Sequence, residues 1–178
     1  MTPVATTPSD LDRWALSLLS SEPVLLDLAR RVALATGAPV LGGLAVFLHG
    51  YRRTTEDIDL QASDPEALAK ALRALGAEWD GPARQFVLEG VPIHLVTEAQ
   101  TGGPAREIVE IRGIPTVSLP DLVRFKLHSG LDRPQRAQDL ADVVELIRRV
   151  PLGRSFAARL PREQRAPFRE LVDAVRDG

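Results

Sequence analysis

Between Ala77 and Val117 the hydrophobic period of this chain shortens from that of a helix to that of a strand, and after Ser118 it lengthens again. That change limits the chain to a sheet core with helices before and after it. Within the window, Arg84 to Leu88, Val91 to Thr97, Glu107 to Ile111 and Pro115 to Val117 are predicted strands, parted by Gly90, Gly102-Gly103 and Gly113. Upstream, Ala38 to Leu41 reads as a short strand running into Gly42-Gly43. Leu44 to His49 reads as a short helix closed by Gly50, and Ile58 to Gln61 as another strand. Asp64-Pro65 starts a helix, with the aspartate as cap and the proline as first helical residue. Its stripe is Leu68, Ala71, Leu72 and Leu75, and Gly76 stops it. Two helices are expected before the sheet. Ser9 or Asp10 caps the first, with Leu11, Trp14, Ala15, Leu18 and Leu19 on one stripe; Pro23 opens the second, with Leu25, Leu28, Ala29 and Val32, and Gly37 ends it. The predicted class is α+β, or mixed α/β, with a small mixed sheet of about five strands. The expected division is 1–37 for N-terminal helices, 38–117 for the sheet core and 118–178 for a C-terminal helical part.

Composition agrees with a folded chain of this kind. Of 178 residues, 44% are hydrophobic and 26% charged, enough to bury a core. The net charge of −2 gives no global pull toward nucleic acid or an anionic membrane. There is no cysteine, so thiolate zinc sites and disulfides are excluded. Met1 to Asp10 holds no basic segment followed by an apolar one, and the longest apolar stretch, Val40 to Leu48, is too short to span a bilayer. The expected location is the cytoplasm, with no membrane partner. Lysine occurs only at Lys70 and Lys126 against 20 arginines, so each lysine calls for a reason.

Two local features carry chemistry. Gly42-Gly43, between a strand and a helix start, would let backbone N–H groups approach an anion closely, although such pairs are more often plain tight turns. Asp57-Ile58-Asp59 puts two carboxylates on one face of a strand. They repel each other there, and a divalent cation relieves the repulsion; hard oxygen ligands suit Mg²⁺, which also takes phosphate oxygens. Two solvated acids near a strand end are the plain alternative.

The combination is more specific. The run Leu41-Gly42-Gly43-Leu44-Ala45, followed by Arg53-Thr54-Thr55-Glu56-Asp57-Ile58-Asp59-Leu60, resembles the signature of the DNA polymerase β-type nucleotidyltransferase superfamily. The finer pattern, His49-Gly50 and Arg53-x-Thr55-x-Asp57, is similar to the AbiEii-type branch, many of whose members are toxins of toxin–antitoxin pairs. Ser118 to Val123 with Lys126-Leu127 resembles that branch's lysine-bearing helix, and Arg133, Arg136, Asp139 and Asp142 resemble its following helix of arginines and paired aspartates. The resemblance runs from about Pro39 to Ile147. It implies the minimal nucleotidyltransferase fold and Mg²⁺-dependent transfer of a nucleotidyl group from an NTP to an acceptor such as tRNA, with an antitoxin protein as a further partner. It implies Asp57 and Asp59 as metal ligands, Gly42, Gly43, Arg53, Thr55 and Lys126 around the nucleotide, and Asp139 as a catalytic-site carboxylate. The alternatives are a decayed member that only binds an NTP or a partner, and an adenylyltransferase acting on a small molecule or a protein.

Lys126 supports the resemblance on its own terms. Leu119, Leu122, Val123 and Leu127 share one helical face, and Lys126 lies in that stripe, so it should point inward, at a cleft or an acid. Phosphate binding and a buried ion pair with Asp139 are the two readings. One departure stands out. The superfamily's third carboxylate would fall on Val91 to Thr97, and His94 stands there. Histidine is a poor Mg²⁺ ligand but a competent base near neutral pH. Either His94 replaces the base, or Asp139 does, or Glu89 or Glu98 supplies the acid, or catalysis is impaired. A three-histidine metal site from His49, His94 and His128 is also open. Arg148 to Arg169 holds seven arginines and one acid, Glu163; it reads as a solvated face or as a track for a nucleic-acid backbone. Phe156 and Phe168 within it read as core residues.

Overall fold

The computed structural model describes residues 10–177. Helix α1 (Asp10–Thr36) leads into β1 (Val40–Leu41), α2 (Gly42–Leu48) and β2 (Ile58–Ala62). Then come α3 (Pro65–Ala74), β3 (Glu78–Asp80), β4 (Gln85–Leu88), β5 (Val91–Thr97) and the one-turn α4 (Glu98–Thr101). Strands β6 (Ile108–Ile111) and β7 (Ile114–Val117) close the sheet, and α5 (Leu119–Asp132), α6 (Ala137–Arg149) and α7 (Arg162–Asp177) follow. Among the described residues no helix is long and apolar enough to cross a membrane.

The class is mixed α/β, as the change of period predicts. The sheet has seven strands, not about five, in the order β3-β4-β5-β2-β1-β7-β6. The pairs β2–β5 and β1–β7 are parallel and the rest antiparallel. Strand β3 escaped the sequence reading because its three residues, Glu78-Trp79-Asp80, are too few for their single alternation to stand out. The N-terminal expectation of two helices is corrected: one helix runs through Pro23. A proline removes one backbone hydrogen bond and bends a helix without always ending it, and this helix is held beyond Pro23 by the buried Leu25, Leu28, Ala29, Val32 and Ala33. The cap Ser9 lies outside the described residues, as do the side chains of the Leu11 to Leu19 stripe.

Caps elsewhere follow the sequence. The Asp64 carboxylate accepts from the N–H groups of Glu66 and Ala67 at the start of α3, and the Ser118 hydroxyl accepts from that of Asp121 at the start of α5.

Successive strand residues face opposite sides of a sheet, and the core divides accordingly. Val40, Ile58, Leu60, Ile93 and Ile114 pack with α1 and α3 in one cluster. Leu41, Val96 and Val117 pack with α2, α5, α6 and α7 in the other. Phe168 is fully buried there, a core residue as the sequence suggests, and the partly buried Phe156 packs on it at 5.3 Å between ring centroids. The second face is where the polar residues of β2 and β5 emerge.

Candidate functional site

Ile58 and Leu60 are fully buried in the first cluster, so Asp59 and Asp57, which alternate with them, point to the other face. Asp57 sits just before β2 begins and Asp59 lies within it. The parallel register sets Asp59 beside His94 on β5. His94 Nδ1 stands 3.2 Å from Asp59 Oδ1 and 3.5 Å from Asp57 Oδ2. One ligand atom from each of the three residues lies within 4.8 Å of the others. Neighbouring ligands of a cation bound at about 2.1 Å are roughly 3 Å apart, so these three groups need little adjustment to share one divalent ion. The Thr55 hydroxyl donates to Asp57 Oδ1 at 2.8 Å and fixes that carboxylate's direction.

The glycine pair is explained by this arrangement. Gly42 has φ +66°, and a Cβ there would lie 1.7 Å from Asp59 Oδ2. A Cβ on Gly43 would lie 2.8 Å from the Thr55 hydroxyl. The glycines are the first residues of α2 rather than a turn ahead of it. They are glycines because the carboxylate and the threonine pass directly over the backbone.

His94 has both ring nitrogens engaged. Nε2 faces Gln85 Oε1 at 3.0 Å, a contact that requires a hydrogen on Nε2 because an amide oxygen only accepts. The antiparallel β4–β5 register, continued by one residue from Phe86↔Ile93, places Gln85 opposite His94. A neutral ring in that tautomer aims the Nδ1 lone pair at Asp57 and Asp59, so a proton or a cation belongs between them. The hydrogen bond that a protonated Nδ1 donates to Asp59 accordingly raises the imidazole's pKa above its ordinary value, against burial, with the charges of Asp59 and Asp57 adding to it.

A second network lies beside the first. Lys126 is buried and donates to Asp139 Oδ1 and Asp142 Oδ2, each at 2.7 Å. Arg53 donates to both oxygens of Asp142 at 3.0 and 2.8 Å. Arg136 holds Asp139 Oδ2 at 3.0 Å, and Gln138 donates to Asp142 Oδ1. Burial pushes the Asp139 carboxyl up, but the charge and hydrogen bond of Lys126, the Ser129 hydroxyl and Arg136 outweigh it and leave its pKa below the usual aspartate value. The lysine therefore points inward as its helical position implies, and it meets two acids there.

Both networks open on one cleft of about 920 Å³. The second face of the sheet forms its floor, and Leu122, Phe125, Lys126 and Ser129, spaced as one face of α5, form a wall. Gly42, Gly43, Arg53, Asp57, Asp59 and His94 all line it. Asp139 stands behind Lys126, and Thr55 behind Asp57. His49 and His128 are not brought to His94. His49 Nε2 donates to the Val117 carbonyl at 2.9 Å, tying the end of α2 to β7, and burial lowers its pKa. The His128 ring packs on Gly102. Glu89 pairs with Arg31 instead of joining the acids, and Glu98 starts α4. Of the basic C-terminal stretch, Arg148 pairs with Glu145 and Arg154 with Asp173.

Sequence reasoning left out Gln85 and Arg84, and it named Asp142, Arg133 and Arg136 only through the family pattern, without the pairing of Asp142 to Lys126 and Arg53 or the place of the two arginines on the cleft wall. Asp142 had a signal: an acid three residues after Asp139, on the side of α6 next to its apolar face. Gln85 had none, because only the strand register puts it opposite His94.

No family model matches the chain, and no curated protein matches it in sequence. Among solved structures it is similar to one described as "putative nucleotidyltransferase from H. pylori", with a TM-score of 0.55 and 15% identity over 89% of this chain and 80% of that one. The two chains share a fold.

Proposed function

We propose that the protein transfers a nucleotidyl group from an NTP to an acceptor, with Mg²⁺ held by Asp57 and Asp59. The observation that carries this reading is the convergence of Asp57, Asp59 and His94 within 4.8 Å, directly over the Cβ-free backbone of Gly42. The two aspartates fit the ion as hard oxygen donors, whereas the oriented imidazole in the third position suits a softer divalent ion than Mg²⁺ better. When bound, Mg²⁺ sets positive charge against the charge developing on the transferred phosphate. Gly42 and Gly43 line the cleft and let Asp59 and Thr55 lie directly over the backbone, which brings the carboxylates to where the ion and its phosphates would sit. Arg53 and Lys126 present positive charge to the same cleft, and Asp142 and Asp139 keep both in place. His94, bonded at Nδ1 and Nε2, acts in this reading as a ligand rather than as a base. Asp139, held below the usual aspartate range, is a weak base as well, which leaves proton removal to the acceptor's surroundings.

The pattern of Arg53, Thr55, Lys126, Asp139 and Asp142 supports the AbiEii-type branch, and with it tRNA as acceptor and an antitoxin protein as partner. A second reading is a binding module that has lost catalysis. It is favoured by the missing third carboxylate and by the pairing of both Arg53 and Lys126 to Asp142. Incubation with each labelled NTP, Mg²⁺ and either total tRNA or cell lysate separates the two. Labelled product from the natural protein and none from Asp59→Asn is expected. Mg²⁺-dependent NTP binding without any labelled product would establish the binding module instead.

A further inference from the structure

The donor set on the cleft floor is mixed. Two of its three members are carboxylates, and the third is the imidazole of His94. All three side chains are partly exposed, so each can reach a ligand from the cleft. The Thr55 hydroxyl occupies Asp57 Oδ1. That leaves Oδ2, the oxygen 3.5 Å from His94 Nδ1, for a cation. Asp59 offers Oδ1 at 3.2 Å from the same nitrogen. Gln85 takes the Nε2 hydrogen and so turns the Nδ1 lone pair toward these two oxygens. The β2–β5 register, which pairs Asp59 with His94, holds the nitrogen at this place. Three protein donors leave half of an octahedral set for phosphate oxygens and water.

An imidazole in that position discriminates among ions. Mg²⁺ takes hard oxygen ligands, whereas an imidazole nitrogen is a ligand for first-row transition ions. Among those, zinc favours tetrahedral sites and copper and nickel tetragonal ones. Manganese shares with Mg²⁺ the octahedral set of carboxylate, phosphate and water oxygens. We propose that the ion of this site is Mn²⁺ and that His94 is the residue that sets its preference over Mg²⁺. This rests on the metal- and NTP-binding reading of the cleft and changes the ion in it. Mn²⁺ keeps all three protein donors. Mg²⁺ must either accept the nitrogen or hold on by the two aspartates alone. A carboxylate in place of His94 would restore an all-oxygen set and remove the distinction.

The test measures Mn²⁺ binding by magnetic resonance, and Mg²⁺ binding by its competition with Mn²⁺, in the natural protein, His94→Asp and His94→Ala. Calorimetry of NTP binding with each ion accompanies it. The natural protein should prefer Mn²⁺ by about tenfold or more, one step of about 1.4 kcal/mol. His94→Asp should strengthen Mg²⁺ binding and bring the two affinities together, and His94→Ala should weaken Mn²⁺ more than Mg²⁺. Equal affinities in the natural protein would overturn the manganese site. A preference of unchanged size in both variants would overturn the role of His94, since the two aspartates alone would then produce it. NTP binding of equal strength with either ion would overturn the proposal and leave the functional reading standing. If the natural protein binds NTP with neither ion, the functional reading and the proposal fall together.

Discussion

At the scale of single residues, the site depends on what is absent from Gly42 and on what holds His94. The first is legible as a requirement once Asp59 is seen to occupy the space of a Cβ. The second has a measurable consequence. Gln85 fixes the tautomer that turns Nδ1 toward the two aspartates, and such an outer partner is commonly worth 10- to 100-fold in metal affinity. Gln85→Leu should therefore weaken Mn²⁺ binding by about that factor with little change in melting temperature. Manganese is the probe because its magnetic resonance also reports a nitrogen ligand. The nitrogen coupling should be present in the natural protein and gone in His94→Ala. Bound manganese with no such coupling in the natural protein would show that His94 stays outside the metal's ligands.

At the scale of elements, the Lys126–Asp139–Asp142–Arg53 network ties α5, α6 and the segment before β2 together. Asp142 is fully buried and Lys126 nearly so, which makes removal of one partner costly, about 3–5 kcal/mol for a buried pair. Lys126→Met should lower the melting temperature by roughly 6–20 °C in a chain of this length and weaken NTP binding as well. A loss of affinity with an unchanged melting curve would mean that the lysine serves phosphate alone. The sign of the pH dependence follows from Asp139. Its folded pKa lies below the ordinary value of 3.8, so the unfolded chain binds the proton more readily. The stability this group contributes is complete above 3.8 and is lost as pH falls through the lower folded value. Lys126→Met, by removing the main cause of the shift, should flatten the acid limb of the stability curve below about pH 4, read by denaturant midpoints at each pH.

At the scale of the whole molecule, a ligand that bridges the sheet floor and the α5 wall should stabilise both core clusters together. An NTP with Mg²⁺ at a hundredfold excess over its dissociation constant adds about 2.7 kcal/mol, or roughly 5–11 °C in melting temperature. The rise should need both components and be absent in Asp57→Asn; a rise with NTP alone that persists in that variant would locate binding elsewhere. The sequence by itself determined the order of most elements, the cap at Asp64, the return to helix after Ser118, the inward direction of Lys126 and the glycines and acids of the candidate site. All of these rest on neighbours within a few residues, where helix and strand periods and capping chemistry act. It did not determine β3, too short for its pattern to register, or the continuity of α1 through Pro23, which packing on the sheet maintains. Nor did it determine that His94 faces the two aspartates, that Gln85 stands behind it, or that Asp142 joins Lys126 to Arg53. Those contacts span from 9 to 89 residues of chain, and only strand register and helix packing decide which distant side chains meet.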